Sequence, residues 1–273
     1  MRNTLWRCVL LLLAGCTLVS PALAADKVLS VVANDNDTEF DMTGMLHLLL
    51  LDTPLLDTPP ADPQPLNDTG ITWGGNYPEG NNTDCTSNID APQDCHQGRD
   101  VTHYDNSDGH VGFSFTKLDG NGNSLSASAT TWSCVRDNVT GLVWEVKTDD
   151  GGIHDKDNIY RWGGKTALGM GYGTYYPDWD TLVDGSNTEH LCGYSDWRVP
   201  TRTELQGLVH LGRTGPAIDT AYFPNTKAKY YWSASPNAYF SSGAWNVYFY
   251  YGFAGAFGNR SNYYYVRLVR SEQ

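Results

Sequence analysis

Aromatic side chains are concentrated near the C-terminal end of the chain. Residues 230–265 contain 15 of its 34 aromatic residues, set among Gly, Ala, Ser and Asn. Tyrosine offers a large rigid contact surface with one polar hydroxyl, and small polar neighbours adapt around it. This composition is typical of a ligand-binding surface. The alternative is a strand buried on both faces, with the tyrosine hydroxyls at its rim.

Strand alternation within this segment predicts which rings point outward, because successive side chains of a strand lie on opposite faces. Four residues share the face predicted to be buried: Trp245, Val247, Phe249 and Tyr251. Tyr248 and Tyr250 then project outward. Phe253 and Phe257 follow among small residues that cannot bury both rings locally. We therefore expect an exposed aromatic surface.

Motifs for catalysis are absent from the sequence, so we expect no catalytic residue and no cofactor. The chain lacks an H-E-x-x-H or G-x-S-x-G element, and no Ser-His-Asp block is recognisable. His154, His190 and His210 have no partner that the sequence identifies.

Two aspartate-rich stretches, 105–109 and 119–123, raise the alternative of calcium binding within residues 103–124. Neither completes the EF-hand pattern, and turn formation explains both equally well. We expect no metal site, and a hairpin running from residue 113 to residue 125.

Four cysteines follow the N-terminal segment and can pair in three ways. We predict a local bridge, Cys85–Cys95, and a long-range bridge, Cys134–Cys192, since disulfides are typical of exported proteins. The alternative is a zinc site, but the spacings lack the paired C-x-x-C arrangement.

The N-terminus has the features of an export signal. Arg2 and Arg7 precede an apolar run, and the Ala-Leu-Ala sequence at 22–24 is typical of a cleavage site. We predict a signal peptide over residues 1–24. An alternative is a lipobox at residues 13–16, with Cys16 carrying a lipid anchor, which would be the only membrane attachment. Either outcome predicts an exported protein, at the cell surface or outer membrane, or periplasmic or secreted.

The net charge of −13 argues against nucleic acid as a partner. The acidic residues are unevenly placed, because 30 of the 31 lie at or before Asp219 and the other is Glu272. An ordinary neutral β-region is the plainer interpretation of this charge distribution taken alone.

Three regions follow the signal peptide. Residues 25–70 are predicted to be a Pro-rich tether, and residues 71–131 a β-hairpin segment rich in Gly, Asn and Asp. Residues 132–273 form a domain in which the spacing of apolar residues predicts strands and helices. Predicted strands cover 142–147, 230–233, 244–251 and 263–269, with a turn at 138–141. A short helix is predicted over 178–191, and the capping box of Thr201 and Glu204 predicts a second helix of about ten residues that stops near Gly212.

Five blocks of this domain resemble those of the Lcl C-terminal domain family. The blocks are residues 134–145 (CVRDNVTGLVWE), 191–201 (LCGYSDWRVPT), 222–226 (YFPNT), 231–233 (YWS) and 265–270 (YVRLVR). The resemblance covers roughly residues 132–270. It implies a C-type-lectin-like α+β fold, with a twisted antiparallel sheet and two flanking helices, here preceded by an irregular β-rich segment. Members occur in exported bacterial proteins.

Some proteins of this kind are variable proteins of diversity-generating retroelements, in which adenine-directed mutagenesis alters residues of the last sheet. Such mutagenesis does not produce Lys, Gln, Glu, Met or Trp, and residues 237–265 contain none of these except Trp245, which lies where the family has a fixed Trp. The resemblance then implies twelve variable, ligand-binding positions: Tyr239, Phe240, Ser241, Ser242, Tyr248, Tyr250, Tyr251, Phe253, Ala254, Ala256, Phe257 and Asn259. It also implies that Trp144, Trp197, Trp232 and Trp245 belong to the scaffold, and we interpret Arg267 and Arg270 as structural.

The favoured hypothesis is an adhesin-like protein that binds a protein or glycan ligand through this aromatic face. One alternative is an invariant structural or interaction module of the cell envelope. Another is an oxidase like the formylglycine-generating enzymes of the same fold class, which require a reactive cysteine pair late in the domain.

Overall fold

Antiparallel strands provide most of the regular structure in this computed structural model, which describes residues 67–76, 80–82, 93–102, 106–169 and 173–271. All of these residues belong to one compact unit, Ala61–Gln273. The predicted signal peptide, Cys16 and the tether as far as residue 66 lie outside the described residues. The predicted α+β class with antiparallel sheets is confirmed.

A four-stranded sheet joins the beginning of the C-terminal domain to its end. Its order is β3 (Phe115–Leu118), β4 (Cys134–Asp137), β5 (Leu142–Glu145) and β9 (Val269–Ser271). The predicted turn between β4 and β5 is present: Asp137 O accepts a bond from Gly141 N at 2.9 Å. Gly141 has φ +69° there, a backbone conformation that favours glycine. The strand predicted over 142–147 is confirmed for residues 142–145.

A three-stranded sheet carries the aromatic segment. β6 (Tyr230–Pro236), β7 (Gly243–Tyr248) and β8 (Phe253–Asn259) pair in sequence order as two successive antiparallel hairpins. The strands predicted from residues 230 and 244 are confirmed, but the one predicted over 263–269 is wrong. Only Val269–Ser271 forms a strand there. β8 was not predicted, because its Gly- and Ala-rich sequence has low strand propensity and is ordered by main-chain bonds to β7.

The helices are short: α1 (Asp94–Gln97), α2 (Arg99–Thr102), α3 (Asp180–Thr188) and α4 (Arg202–Gln206), with a 3₁₀ turn at Leu191–Gly193. The capping box is confirmed, since Thr201 Oγ1 accepts from Glu204 N and Glu204 Oε2 accepts from Thr201 N at 2.7 Å. The predicted length of α4 is wrong. The helix ends at Gln206, with Gly207 as its C-cap, and His210 N bonds instead to Ala217 O at 3.1 Å.

The region before the C-terminal domain contains the hairpin of β1 (Gly74–Asn76) and β2 (Gly80–Asn82). The hairpin predicted over 113–125 is partly present: Leu118 pairs with Ser124 around a tight turn, but β3 makes its longer pairing with β4. Residues 67–70, which the sequence places in the tether, pack on the domain. Asp68 is buried, and Thr69 O accepts from Leu211 N at 2.8 Å.

Buried tryptophans surround the long-range disulfide. Cys134 and Cys192 are bonded, with Cα atoms 6.4 Å apart, so this predicted pair is confirmed. Four indoles pack in the same buried cluster: Trp162, Trp179, Trp197 and Trp232. Trp144 is buried in a neighbouring cluster. The Cys85–Cys95 pair stays a prediction, because Cys85 lies outside the described residues.

Candidate ligand-binding surface

Six aromatic residues meet where β7 turns into β8, and we call them the ring cluster: Tyr230, Tyr248, Tyr250, Tyr251, Phe253 and Tyr264. Tyr248 ends β7, Phe253 begins β8, and the two residues pair across the hairpin. Tyr230 begins β6 and pairs with Tyr248 from the other side. Strand register therefore brings rings from three strands together at one end of the sheet, where these strands begin or end.

Four rings of the cluster stand in a nearly parallel row. Tyr264 and Tyr230 have centroids 5.0 Å apart, Tyr230 and Tyr248 4.2 Å, and Tyr248 and Tyr250 6.0 Å, with interplanar angles of 26°, 19° and 18°. Tyr251 and Phe253 meet Tyr248 edge-on. Such contacts each contribute roughly 0.5–1.5 kcal/mol beyond burial. The rings therefore hold one another in place.

The outer rings of the cluster remain accessible to solvent. Tyr250 is 41% exposed, Tyr251 59% and Phe253 47%. Val247 and Phe249, on the opposite face of the strand, are fully buried, as predicted. The same alternation leaves Tyr248 half-buried. Residues 247–250 thus have one face in the core and one face at the surface.

The turn below the cluster depends on a glycine. Gly252 has φ +81°, and its N–H bonds to Tyr248 O at 2.8 Å. A Cβ at this position would lie 2.5 Å from Val209 Cγ1. The turn is therefore pressed against the chain that follows α4, which fixes Tyr250 and Tyr251 relative to the core.

A second exposed pair of rings, the tip pair Tyr239 and Phe240, lies between β6 and β7. Their centroids are 4.6 Å apart and edge-on. Tyr239 is 85% exposed and Phe240 43%. Asn237 Oδ1 accepts from both backbone N–H groups, at 2.8 and 3.1 Å, which shapes the turn.

The structure divides the predicted binding positions into two groups. Pro236 pairs with Ala244 near the tip pair, whereas Tyr230 pairs with Tyr248 at the ring cluster, so the groups lie at opposite ends of one hairpin. At about 3.3 Å per residue, this separation is roughly 15–20 Å. One small ligand cannot contact both groups, although a macromolecular surface can.

The remaining predicted positions lie near the tip or along β8. Ser241, Ser242 and Asn259 are exposed, and Asn259 pairs with Gly243 at the tip. Ala254 and Ala256 are half-buried. Phe257 lies in β8, and its side chain is outside the described part of the structure.

Two predicted burials on this strand are wrong. Trp245 is half-buried, with the Arg202 guanidinium 4.6 Å above its ring, because an irregularity in the β7 pairing between Ala244 and Asn246 shifts the alternation. Tyr251 is exposed because it lies in the turn beyond the end of β7. The other predicted scaffold tryptophans are buried: Trp144, Trp197 and Trp232.

Arg267 and Arg270, which the sequence analysis interprets as structural, both contact other parts of the domain. Arg267 is buried and donates to Glu145 O at 2.6 Å and to Thr226 Oγ1 at 2.7 Å. Arg270 forms a bidentate pair with Asp196. Both contacts agree with the structural interpretation of these arginines.

A cleft of about 900 Å³ adjoins the ring cluster. Gly252 lies on its wall, together with Leu211, Thr203 and Asp137. The Asp137 carboxylate already accepts from Val139 N at 2.9 Å and from the Asn67 amide. Most side chains that line the cleft are polar, and Gly252 is the lining residue that lies next to Tyr251 and Phe253 of the ring cluster in the chain.

Sequence analysis missed a buried charge network on β5. Glu145 Oε1 accepts from Lys147 Nζ at 2.8 Å and hydrogen-bonds His154 Nδ1 at 2.7 Å, and His154 Nε2 reaches Glu189. Burial lowers the pKa of His154, but its bonds to Glu145 and Glu189 outweigh that effect, and the pKa is raised above its usual value. Glu145 and Lys147 share one face of a predicted strand, and this placement was the feature of the sequence that could have indicated the network.

A second pair missed from the sequence is His110 with His210, whose Nδ1 and Nε2 atoms lie 2.8 Å apart. His210 is buried and stacks on Phe113. Burial, assisted by the nearby Arg213, lowers the pKa of His210 to about 4. A neutral ring at this position packs in the core without a charge penalty.

Of the two aspartate-rich stretches, the second is explained by turn formation. Asp119 Oδ1 accepts from Asn121 N at 2.8 Å and from Asn123 N at 2.9 Å. Within the described ranges, no group of three His, Cys, Asp or Glu side chains is arranged to hold a metal ion. The same residues include no helix long and apolar enough to cross a membrane.

The fold and surface define an α+β domain of antiparallel sheets with an exposed aromatic edge. The chain belongs to the Lcl C-terminal domain family, whose family model matches residues 133–270. This confirms the family resemblance of the five sequence blocks. No curated protein and no solved structure matches the chain.

Proposed function

We propose that this protein is an exported binding protein whose ring cluster contacts a protein or glycan ligand. The carrying observation is the accessible row of stacked rings, of which Tyr250, Tyr251 and Phe253 are 41–59% exposed. Exposed apolar groups concentrated in one patch are typical of interaction sites. The C-type-lectin-like fold and export to the cell surface or periplasm are parts of this proposal.

The support comes from rigidity combined with exposure. A preordered ring loses little conformational freedom on binding, so more of the contact energy appears as affinity. Tyr248 contacts four other rings of the cluster, and Gly252 fixes the turn below it. Aromatic residues in such settings are frequent hot spots.

Diversification by a retroelement is a further part of the proposal. Most of the twelve proposed variable positions are surface residues, and changes there leave Val247, Phe249 and the disulfide untouched. Sequencing the DNA downstream of the gene tests this directly. A nearby reverse transcriptase and an imperfect repeat that differs at adenines would support it.

Binding is tested with the labelled full chain on arrays of purified glycans and purified extracellular proteins. The ring variant Tyr250→Ser/Tyr251→Ser/Phe253→Ser is compared with the tip variant Tyr239→Ser/Phe240→Ser. We expect the wild type to bind at least one array component, and the ring variant to lose affinity. One hot spot contributes about 2 kcal/mol, or about 30-fold, so the combined loss should exceed 100-fold.

Val101→Ser is the matched control, because Val101 is an apolar side chain of α2 that is 50% exposed. It should bind like the wild type. The proposal is wrong if the wild type binds neither array, or if the ring variant binds as tightly as the control. A cooperative thermal unfolding transition, measured by circular dichroism, verifies that each variant is folded.

The invariant envelope module is the second candidate, favoured by the many ring–ring contacts, which are themselves stabilising. This candidate predicts different results for the same variants. Truncating exposed rings would then lower the melting temperature without changing any binding, and no repeat would lie downstream.

A further inference from the structure

The strand β8 is the outer strand of the three-stranded sheet. The strand order is β6, β7 and β8, so within the described part of the chain β8 pairs with a neighbour on one side. The other side of such an edge strand presents main-chain N–H and C=O groups that no strand of the sheet uses. These groups are a possible pairing site for a strand of another polypeptide.

The hydrogen bonds of β7 show which of its residues face β8. Tyr248 directs its carbonyl to the β8 side, since it accepts from Gly252 N at 2.8 Å. The next residue, Phe249, faces the β6 side, since its N–H bonds to Lys229 O at 3.0 Å. Main-chain groups of a strand point to its two sides in alternation, so every second residue of β7 bonds to β8 and Tyr248 is one of these.

The same alternation identifies the outward-facing residue of β8. Phe253 pairs with Tyr248, and Gly255 pairs with Asn246, so the main-chain groups of Phe253 and Gly255 face β7. Ala254 lies between them and directs its N–H and C=O away from β7. Among the described residues, no hydrogen bond from elsewhere in the chain reaches these two groups.

The free side of β8 is accessible because its side chains are small. Gly255 is half-buried, and since glycine has no side chain, its exposed surface is main chain. Ala254 and Ala256 are half-buried as well. Residues 250–259 contain no charged residue and no proline, which are the residue types that commonly prevent pairing at a sheet edge. This edge therefore has no such protection.

The open part of the edge is short. The pairing of β7 with β8 shifts between Ala244 and Asn246, and beyond that shift Ala256 O accepts from the Asn237 side-chain amide at 2.7 Å. The regular edge is thus limited to the first residues of β8, from Phe253 to Ala256. The ring cluster lies at the beginning of this segment, and the tip pair lies beyond its far end.

We propose that β8 pairs with an extended segment of a partner protein, which adds a fourth strand to the sheet. This inference rests on the proposed function and narrows its ligand from a protein or glycan to a polypeptide. Another extended main chain matches the alternating N–H and C=O groups of a strand edge, whereas the hydroxyls of a glycan do not repeat in that pattern.

The added strand would exchange main-chain hydrogen bonds with Ala254 N and O. Its side chains would bury the exposed rings of Tyr251 and Phe253 at one end and reach the tip pair at the other. The separation of roughly 15–20 Å between these groups corresponds to about five or six extended residues. One short segment can therefore contact both groups, which a small ligand cannot.

Pairing through the main chain also fits the proposed variation of this surface. Ala254 is one of the twelve proposed variable positions, and its N–H and C=O remain when its side chain changes. The main-chain bonds would thus supply a constant part of the affinity, while variable side chains select the sequence of the partner segment.

The test uses random nine-residue peptides displayed on phage and selected on the immobilised full chain. Enriched peptides are then synthesised, and their Kd is measured by isothermal calorimetry. We expect at least one enriched peptide. Ala254→Pro removes the outward N–H and breaks no bond to β7, because edge strands accept proline where the N–H faces away from the sheet. It should weaken binding at least about tenfold through lost main-chain bonds.

Ala254→Ser is the matched control, because it changes the side chain and keeps the N–H. It should bind the enriched peptides like the wild type. The unchanged protein provides a second measurement, which covers the case in which Ala254→Pro does not fold. Methylating one peptide nitrogen at a time should weaken binding at least about tenfold at one or two alternate positions, and should leave it unchanged at the positions between them.

Three results would overturn strand pairing with a partner segment. These are a selection that enriches no peptide, a folded Ala254→Pro that binds as tightly as Ala254→Ser, and methylation effects without alternation. A dimer of the wild type that Ala254→Pro abolishes would assign the edge to a second copy of the chain instead. If the ring variant loses array binding and Ala254→Pro does not, the ring cluster remains the binding site and the strand pairing alone is refuted.

Discussion

The Glu145 carboxylate holds together the buried charges at the junction of β5 and the C-terminal strand. Its Oε1 bonds Lys147 Nζ at 2.8 Å and His154 Nδ1 at 2.7 Å, and its Oε2 accepts from Leu268 N at 2.8 Å. The Glu145 and Lys147 side chains are 0% and 1% exposed. Glu145→Gln keeps the shape of the side chain and removes its charge.

The expected loss of stability in Glu145→Gln arises from the positive charges that remain buried without a counter-charge. The Lys147 ammonium would remain in the core without a counter-charge, and removing one partner of a buried pair costs about 3–5 kcal/mol. Arg267 donates to the Glu145 carbonyl and brings a second positive charge close by. We therefore expect a loss near 4 kcal/mol, a large part of the 5–15 kcal/mol typical of a folded protein.

Urea unfolding of the full chain, followed by tryptophan fluorescence, measures this loss. The matched control is Asp184→Asn, which breaks the Lys165–Asp184 pair of 2.5 Å between side chains that are 58% and 51% exposed. Solvent screens such a pair, so its loss should cost less than about 1 kcal/mol. The double variant Glu145→Gln/Lys147→Met should recover most of the stability lost in Glu145→Gln.

The dependence of the free energy of unfolding on pH, measured in acid, tests the same interaction. Burial alone would raise the pKa of Glu145, but Lys147 and His154 outweigh it and hold the pKa at about 2, against an ordinary 4.5. The contribution of Glu145 is thus fully present above pH 4.5 and is lost as the pH falls toward 2. In Glu145→Gln this part of the acid dependence should disappear.

Two results would refute the reasoning. One is a loss below 1 kcal/mol in Glu145→Gln, which would mean that Lys147 finds water or another partner. The other is a double variant no more stable than Glu145→Gln, which would mean that the cost does not arise from the unpaired ammonium.

Three further predictions concern separate parts of the fold. Cys134→Ala/Cys192→Ala should lose about 4 kcal/mol in urea unfolding, since the bridge closes a loop of 58 residues; an unchanged midpoint would contradict this. Thr201→Ala should lose about 1 kcal/mol by removing the helix cap, whereas Thr201→Ser should not. His210 has a pKa lowered to about 4, so its contribution is present above pH 6.5 and is lost as the pH falls toward 4. In His210→Gln, the melting temperature should depend less on pH between 6.5 and 4 than it does in the wild type. An equal dependence on pH in the two proteins would count against the buried neutral ring.

Local patterns were predicted well where the interactions are close in sequence. The capping box at Thr201, the turn at Gly141 and the strand alternation of Val247 and Phe249 depend on neighbouring residues, and all three are present. The alternation fails at Trp245, where the β7 pairing becomes irregular. That irregularity depends on the partner strands, which the local sequence does not specify.

Length and assembly of elements were predicted less well. The helix after Thr201 is half the expected length because the following residues bond to the chain near Ala217. β8 forms from a sequence of low strand propensity because β7 offers it a partner. In both cases long-range main-chain bonds outweigh local preference.

The sequence alone determined the α+β class and the family, because both depend on residue types in a recognisable order, and it predicted the Cys134–Cys192 bridge from among three possible pairings. Only the tertiary structure decided which rings lie together. Strand register brings Tyr230 and Tyr264 to Tyr248 and Tyr250, and moves Tyr239 and Phe240 to the far end of the hairpin. Likewise, only folding brings Asp68 beside Asp100 and His154 beside Glu145. Such contacts join residues distant in the chain, and a single sequence carries no direct signal of their separation in space.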